Sequence, residues 1–140
     1  MRDDVWRRVW CSIWREPWPE DVRTLALYLL TCEHSTTEGF YRLPLEYGYA
    51  DLQWPPKRFH AAFKVLRDSE FCEYDEKARV LLIPKALGRN KPNGHQVTAI
   101  VKALRSFPPT PLLKRFRSVA GEHSEALAEA LDKDLGERLQ

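Results

Sequence analysis

Ten prolines divide the 140-residue chain, and their positions dictate where helices and strands can start and stop. Pro19, with Glu20 and Asp21 behind it, is a helix start: proline in the first turn, acids at the positive end. Val22, Leu25, Ala26, Leu29 and Leu30 follow at helical spacing, so a core-facing helix runs to near Cys32. After the polar loop His34 to Gly39, the strand-like run Phe40-Tyr41-Arg42-Leu43 is stopped by Pro44. Pro44 also suits the first turn of a short helix with Leu45, Tyr49 and Leu52 on one face. Gln53-Trp54 makes a turn, and Pro55-Pro56 opens a further helix that runs to about Ser69.

Two strand-like runs come next, Phe71-Cys72-Glu73-Tyr74 and Arg79-Val80-Leu81-Leu82-Ile83. Asp75 to Ala78 joins them as a hairpin, and Pro84 ends it. A basic connector from Lys85 to Gly94 leads to Val97, Ile100, Val101 and Leu104 at helical spacing. Phe107-Pro108-Pro109 stops that helix, and Pro111 restarts one with Leu112, Leu113, Phe116 and Val119 inward until Gly121 interrupts. Ahead of Pro17 and Pro19, the opening VWRRVWCSIW fits two periods. Val9, Cys11 and Ile13 alternate like a strand, while Trp6, Trp10, Ile13 and Trp14 share a helical face; a short strand is the expectation.

Helix, short strand, helix, turn, helix and hairpin is the order of a winged helix-turn-helix. The expected fold is therefore mainly α with a small β component, with additional C-terminal helices. It divides into a winged-helix DNA-binding domain over 1–90, a basic helical extension packed on it over 91–121, and an acidic C-terminal helix or tail over 122–140. In such a fold the helix over 55–69 can enter a major groove about 12 Å wide, with the 71–83 hairpin as a wing against the backbone. Its buried stripe is Phe59, Ala62, Phe63 and Leu66, so Lys57, Ala61, Lys64 and Asp68 point away, flanked by Arg58 and His60.

Charge along the chain supports the same reading. Residues 1–76 hold 10 basic and 14 acidic side chains, 77–121 hold ten basic ones and no Asp or Glu, and 122–140 hold six acids against Lys133 and Arg138. A run of like charge without compensation repels itself unless an anion lies nearby, and a phosphate backbone is a common one. The same charges also suit solvated faces of amphipathic helices. The stripe Leu127, Leu131 and Leu135 amid acids leaves three readings open: docking onto the basic surface, pairing with another chain in a homo-oligomer, or leading into a further region.

With 44% apolar and 30% charged residues, the chain lies well away from disordered compositions, and a domain of this size buries roughly two thirds of its unfolded surface. No apolar run approaches the roughly 20 residues of a membrane span, and Met-Arg-Asp-Asp lacks the order of a secretory signal, so no membrane contact and a cytoplasmic location are expected. Cys11, Cys32 and Cys72 form no C-x-x-C pair and read as reduced core thiols; Cys32 and His34 alone are a poor metal site, so neither metal nor cofactor is expected. No phosphate loop, G-x-S-x-G elbow or H-E-x-x-H is present, and His34, His60, His95 and His123 are isolated, which argues against an enzyme.

The segments VWCSIWREPW, LALYLLTCEHSTTEGFYRLP, LQWPPKRFHAAFKVLRDSEFCEYDEKARVLLIP and GRNKPNGHQVTAIVKAL resemble phage replication-initiation proteins, the replisome organizers, related in layout to DnaD-like primosome proteins. The resemblance spans roughly 8 to 118. It implies an amino-terminal winged helix that binds double-stranded DNA at an origin, and a later region that recruits the replicative helicase or its loader. Carried over, it marks Lys57, Arg58, His60 and Lys64 as groove or phosphate contacts, with Ala61 beside them, and Lys77 and Arg79 as wing contacts. Lys85, Arg89 and Lys91 of the basic connector complete the expected DNA-binding set. Two departures stand out: Asp75 and Glu76 occupy the wing tip, which the tip's negative charge turns from DNA, and no separate helicase-binding domain is evident. A winged-helix transcriptional regulator and a protein-interaction module of a replication complex are the alternatives, the latter on account of five tryptophans, which are enriched at interfaces and also in cores.

Overall fold

The computed structural model describes residues 3–140, with the side chains of 7, 9 and 11–140. Its first element is a helix, α1 (Asp3–Arg15), where the alternation of Val9, Cys11 and Ile13 predicts a strand. Val9 and Ile13, four apart, both reach the core on one helical face, whereas Cys11 is exposed instead of being a core thiol. α2 (Glu20–Thr31), β1 (Phe40–Arg42), α3 (Leu45–Leu52), α4 (Pro56–Asp68), β2 (Glu73–Asp75) and β3 (Val80–Leu82) then follow in winged helix-turn-helix order. The chain is mainly α with a small β component. The additional helices are α5 (Ala86–Arg89), formed within the expected connector, α6 (Gly94–Leu104), α7 (Leu112–His123), α8 (Glu125–Leu135) and a closing 3-10 turn, Gly136–Leu139.

The antiparallel sheet, in the order β1-β3-β2, separates two apolar cores. Tyr41 and Tyr74 both oppose Leu81, and with Leu43 and Ile83 they face α1, α2 and α4 through Ile13, Leu25, Leu29, Phe59 and Leu66. Phe40, Val80 and Leu82 face the other way, onto Ile100, Leu113, Phe116, Leu127 and Leu131 of α6, α7 and α8. The period of two along a strand thus gives each neighbouring residue to a different core, which is why Val80, Leu81 and Leu82 read as a continuous apolar run. Gly39 lets β1 enter this sheet: it has φ +72°, and a Cβ there would stand 2.5 Å from that of Ala86.

α7 continues through Gly121, where the residues predict an interruption. The break falls instead at Ser124, whose extended backbone (φ −152°) and side chain, accepting from the Leu127 N–H at 3.3 Å, cap α8. Leu127, Ala128, Leu131 and Leu135 are buried, so the acidic segment is a core helix docked on α6 and α7. Arg138, in the closing turn, donates to the carbonyls of Leu104 and Arg105 at the C-terminal end of α6 and to that of Phe107 just beyond it.

Glu38, in the turn before β1, is 7% exposed, and burial pushes its carboxyl above the ordinary range. Because the folded state holds that proton more tightly than the unfolded chain, stability falls as pH rises from the unfolded value through the folded one. Glu38→Gln is therefore expected to melt higher than the parent chain at pH 7, with the two melts converging below about pH 4, where the parent's carboxyl takes up its proton in the folded and unfolded states alike. Equal melts at pH 7 would contradict this. Among the described residues no helix is long and apolar enough to cross a membrane.

Candidate nucleic-acid interface

The helix-turn-helix is α3, the turn Gln53-Trp54-Pro55, and α4. Gln53 takes the left-handed conformation (φ 57°), and the Trp54 N–H returns to the Tyr49 carbonyl at 3.1 Å, which turns the chain sharply. Pro56 occupies the first helical position of α4. The two helices approach closely at Gly48, where any Cβ would run into the fully buried ring of Phe59. Gly48 is a residue the periodicity analysis passes over; a glycine inside an apolar helical pattern was its only signal.

Phe59, Ala62, Phe63 and Leu66 are buried, and Lys57, Arg58, His60, Ala61 and Lys64 are all exposed, as their spacing requires. Their partners differ. Among the described residues no carboxylate lies within ion-pair distance of Lys57. Lys64 meets Asp68 one turn on at 2.8 Å, and His60 Nε2 bonds the Tyr49 hydroxyl of α3. Arg58 donates through Nε and Nη2 to the Asp21 carboxylate of α2, at 2.9 and 2.8 Å, with its Cζ 4.4 Å from the centre of the Trp54 ring. The bond from Arg58 holds the Asp21 carboxyl below the ordinary range. Nothing in the local sequence signals this tie, since the partners stand 37 residues apart.

The hairpin leans on the same helix. Arg67 of α4 comes within 3.8 Å of Glu76 at the tip, and Tyr74 meets Phe63 edge-on. Between hairpin and helix runs an open groove of about 680 Å³, lined by His60, Phe63, Lys64, Arg67, Tyr74 and Leu112. The tip is rigid in its bonding: one Asp75 oxygen accepts from the N–H groups of Lys77 and Ala78, at 3.0 and 3.2 Å, and the other from the Thr110 hydroxyl at 2.6 Å. The Thr110 bond, helped by the two amides, holds the Asp75 carboxyl below its usual range. Lys77 is exposed there, while Arg79, in the left-handed region (φ 57°), reaches back to Glu46 of α3 at 4.0 Å.

The rest of the acid-free stretch departs from expectation. Three of its arginines are compensated in space by acids distant in sequence: Arg105 by Asp134 at 2.5 Å, Arg115 by Glu73 at 3.0 Å, and Arg117 by Asp132 at 2.7 Å. The docking of α8 supplies two of those three acids. Lys85 sits beyond the C-terminal end of α4, beside Ser69 and Glu70, and Arg89 donates to Ser12 of α1 at 3.0 Å. Lys91 is exposed in the connector before α6. Lys57, His60, Ala61, Lys64 and Lys77 are thus gathered along α4 and the hairpin, whereas Lys85 and Arg89 are placed elsewhere.

Only Glu33, His34 and Asp51, among the described residues, bring metal-type donors together, within 4.8 Å of one another. Glu33 already pairs with His34 at 3.5 Å and Asp51 accepts from Tyr28 at 2.7 Å, while Cys32 turns to the Tyr41 hydroxyl. Trp54 is buried beneath Arg58, Trp18 packs edge-on against Phe71, and Trp14 is half exposed beneath Arg23; the side chains of Trp6 and Trp10 lie outside the described residues. The chain matches no family model, no curated protein and no solved structure.

Proposed function

We propose that this chain binds double-stranded DNA through α4, with that helix in the major groove and the hairpin lying against the neighbouring backbone. The observation that carries the reading is the outward face of α4. Lys57, Ala61 and Lys64 are exposed on it, small and basic, at the position a recognition helix takes in this element order. Lys77 extends the positive surface from the wing. The resemblance to phage replication-initiation proteins supports a role at a replication origin in the cytoplasm, with the replicative helicase or its loader as a protein partner. The role is recognition and not catalysis.

Salt dependence tests this reading. If Lys57, Lys64, Lys77 and Arg79 meet phosphates, the logarithm of affinity for a duplex should fall against the logarithm of salt with a slope of about −3 to −4. Had all the cations of 77–121 joined the interface, the slope would be far steeper. A flat response, or no binding at low salt, would overturn the reading in favour of a protein-interaction module.

A further inference from the structure

Arg58 stands in the first turn of α4, the end of a recognition helix from which base edges are read. Its guanidinium is held on two sides. The Asp21 carboxylate takes the side edge, through Nε and Nη2, and the Trp54 ring covers one face. Among the described residues, the two Nη1 hydrogens and the second Nη2 hydrogen meet no acceptor, and the side chain remains 48% exposed. Those end-on hydrogens form the fork whose spacing matches O6 and N7 of guanine in the major groove.

We propose that Arg58 reads a guanine in the bound duplex and that Asp21 and Trp54 are the positioning residues that aim it; the inference rests on the DNA-binding reading above. A free arginine loses rotamer freedom when it grips a base. Here that freedom is already restricted in the folded protein, so recognition costs less. An acid beside the surface offered to phosphate is unfavourable by itself, and orienting Arg58 gives Asp21 a role that offsets this.

Selection from a randomised duplex pool, followed by titration of the selected duplex, tests it on the full chain. The parent chain should select guanine at one fixed position, and 7-deazaguanine there, which lacks the N7 acceptor, should weaken binding about 10-fold. Arg58→Ala should bind both duplexes alike. Arg58→Gln keeps a polar side chain of similar reach without the fork, so it should lose the guanine preference, and it serves if Arg58→Ala fails to fold. Asp21→Asn should move two readouts in opposite directions: higher affinity for unrelated duplex because an acid is gone, and a weaker guanine preference because Arg58 is freed. Selection of the same base by the Arg58 variants, or an Asp21→Asn chain with its preference intact, overturns the inference. Salt-dependent binding by the parent chain with no guanine preference overturns it alone, whereas absence of duplex binding overturns the DNA-binding reading as well.

Discussion

Replacing Lys57 and Lys64 together with glutamate is expected to weaken duplex binding on the order of 100-fold, because two phosphate contacts are lost and two repulsions take their place. The fold should scarcely register the change. Lys57 has no ion pair among the described residues, and Lys64 has only the exposed Asp68, one helical turn away at 2.8 Å. Such a pair contributes about 0.3–0.5 kcal/mol, and reversing it introduces a like-charge repulsion of similar size. A thermal melt beside the binding titration separates the two effects. Lys102→Glu with Lys133→Glu, on the exposed faces of α6 and α8, carries the same change of net charge and should cost far less affinity. Equal losses from both pairs would mean that binding senses overall charge and not the α4 face.

The largest stability effect is expected at Phe116. This fully buried ring of α7 stacks on Phe40 of β1 with centroids 4.9 Å apart, and Phe40 in turn meets Phe107 edge-on at 5.2 Å. Phe116→Ala removes the ring at the junction between sheet and C-terminal helices, at a cost of about 3–5 kcal/mol. For a chain of this size that corresponds to a melting temperature lower by about 10–15 °C. Because Phe40, Val80 and Leu82 are shared between the hairpin sheet and the second core, the loss should appear as one cooperative shift. A melt within about 2 °C of the parent chain would show that the second core contributes little to the fold.

How much of this was legible in the sequence follows from what each signal measures. Proline placement and helical spacing located α2, α3, α4 and the hairpin because those signals are local, and the exposed set Lys57, His60, Ala61 and Lys64 came out of the spacing directly. α1 was misread because ten residues of alternating and helical pattern overlap, and only packing of Val9 and Ile13 against α2 decides between them. The acid-free stretch misled for a different reason. Charge counted along a chain says nothing about acids brought in by folding, and Asp132, Asp134 and Glu73 lie 15 to 42 residues from the arginines they neutralise. The tie between Asp21 and Arg58 is likewise long-range, so the first-turn acid of α2 reads in sequence as no more than a helix-dipole partner.

Mapping backbone amide shifts during titration with duplex DNA reads, residue by residue, where a duplex touches the molecule. The expected result is that shifts concentrate on 55–65 and on the hairpin tip at 76–79, weaken as salt rises, and leave α6 and α8 unmoved. Shifts confined to α6, α7 and α8, with α4 silent, would contradict it.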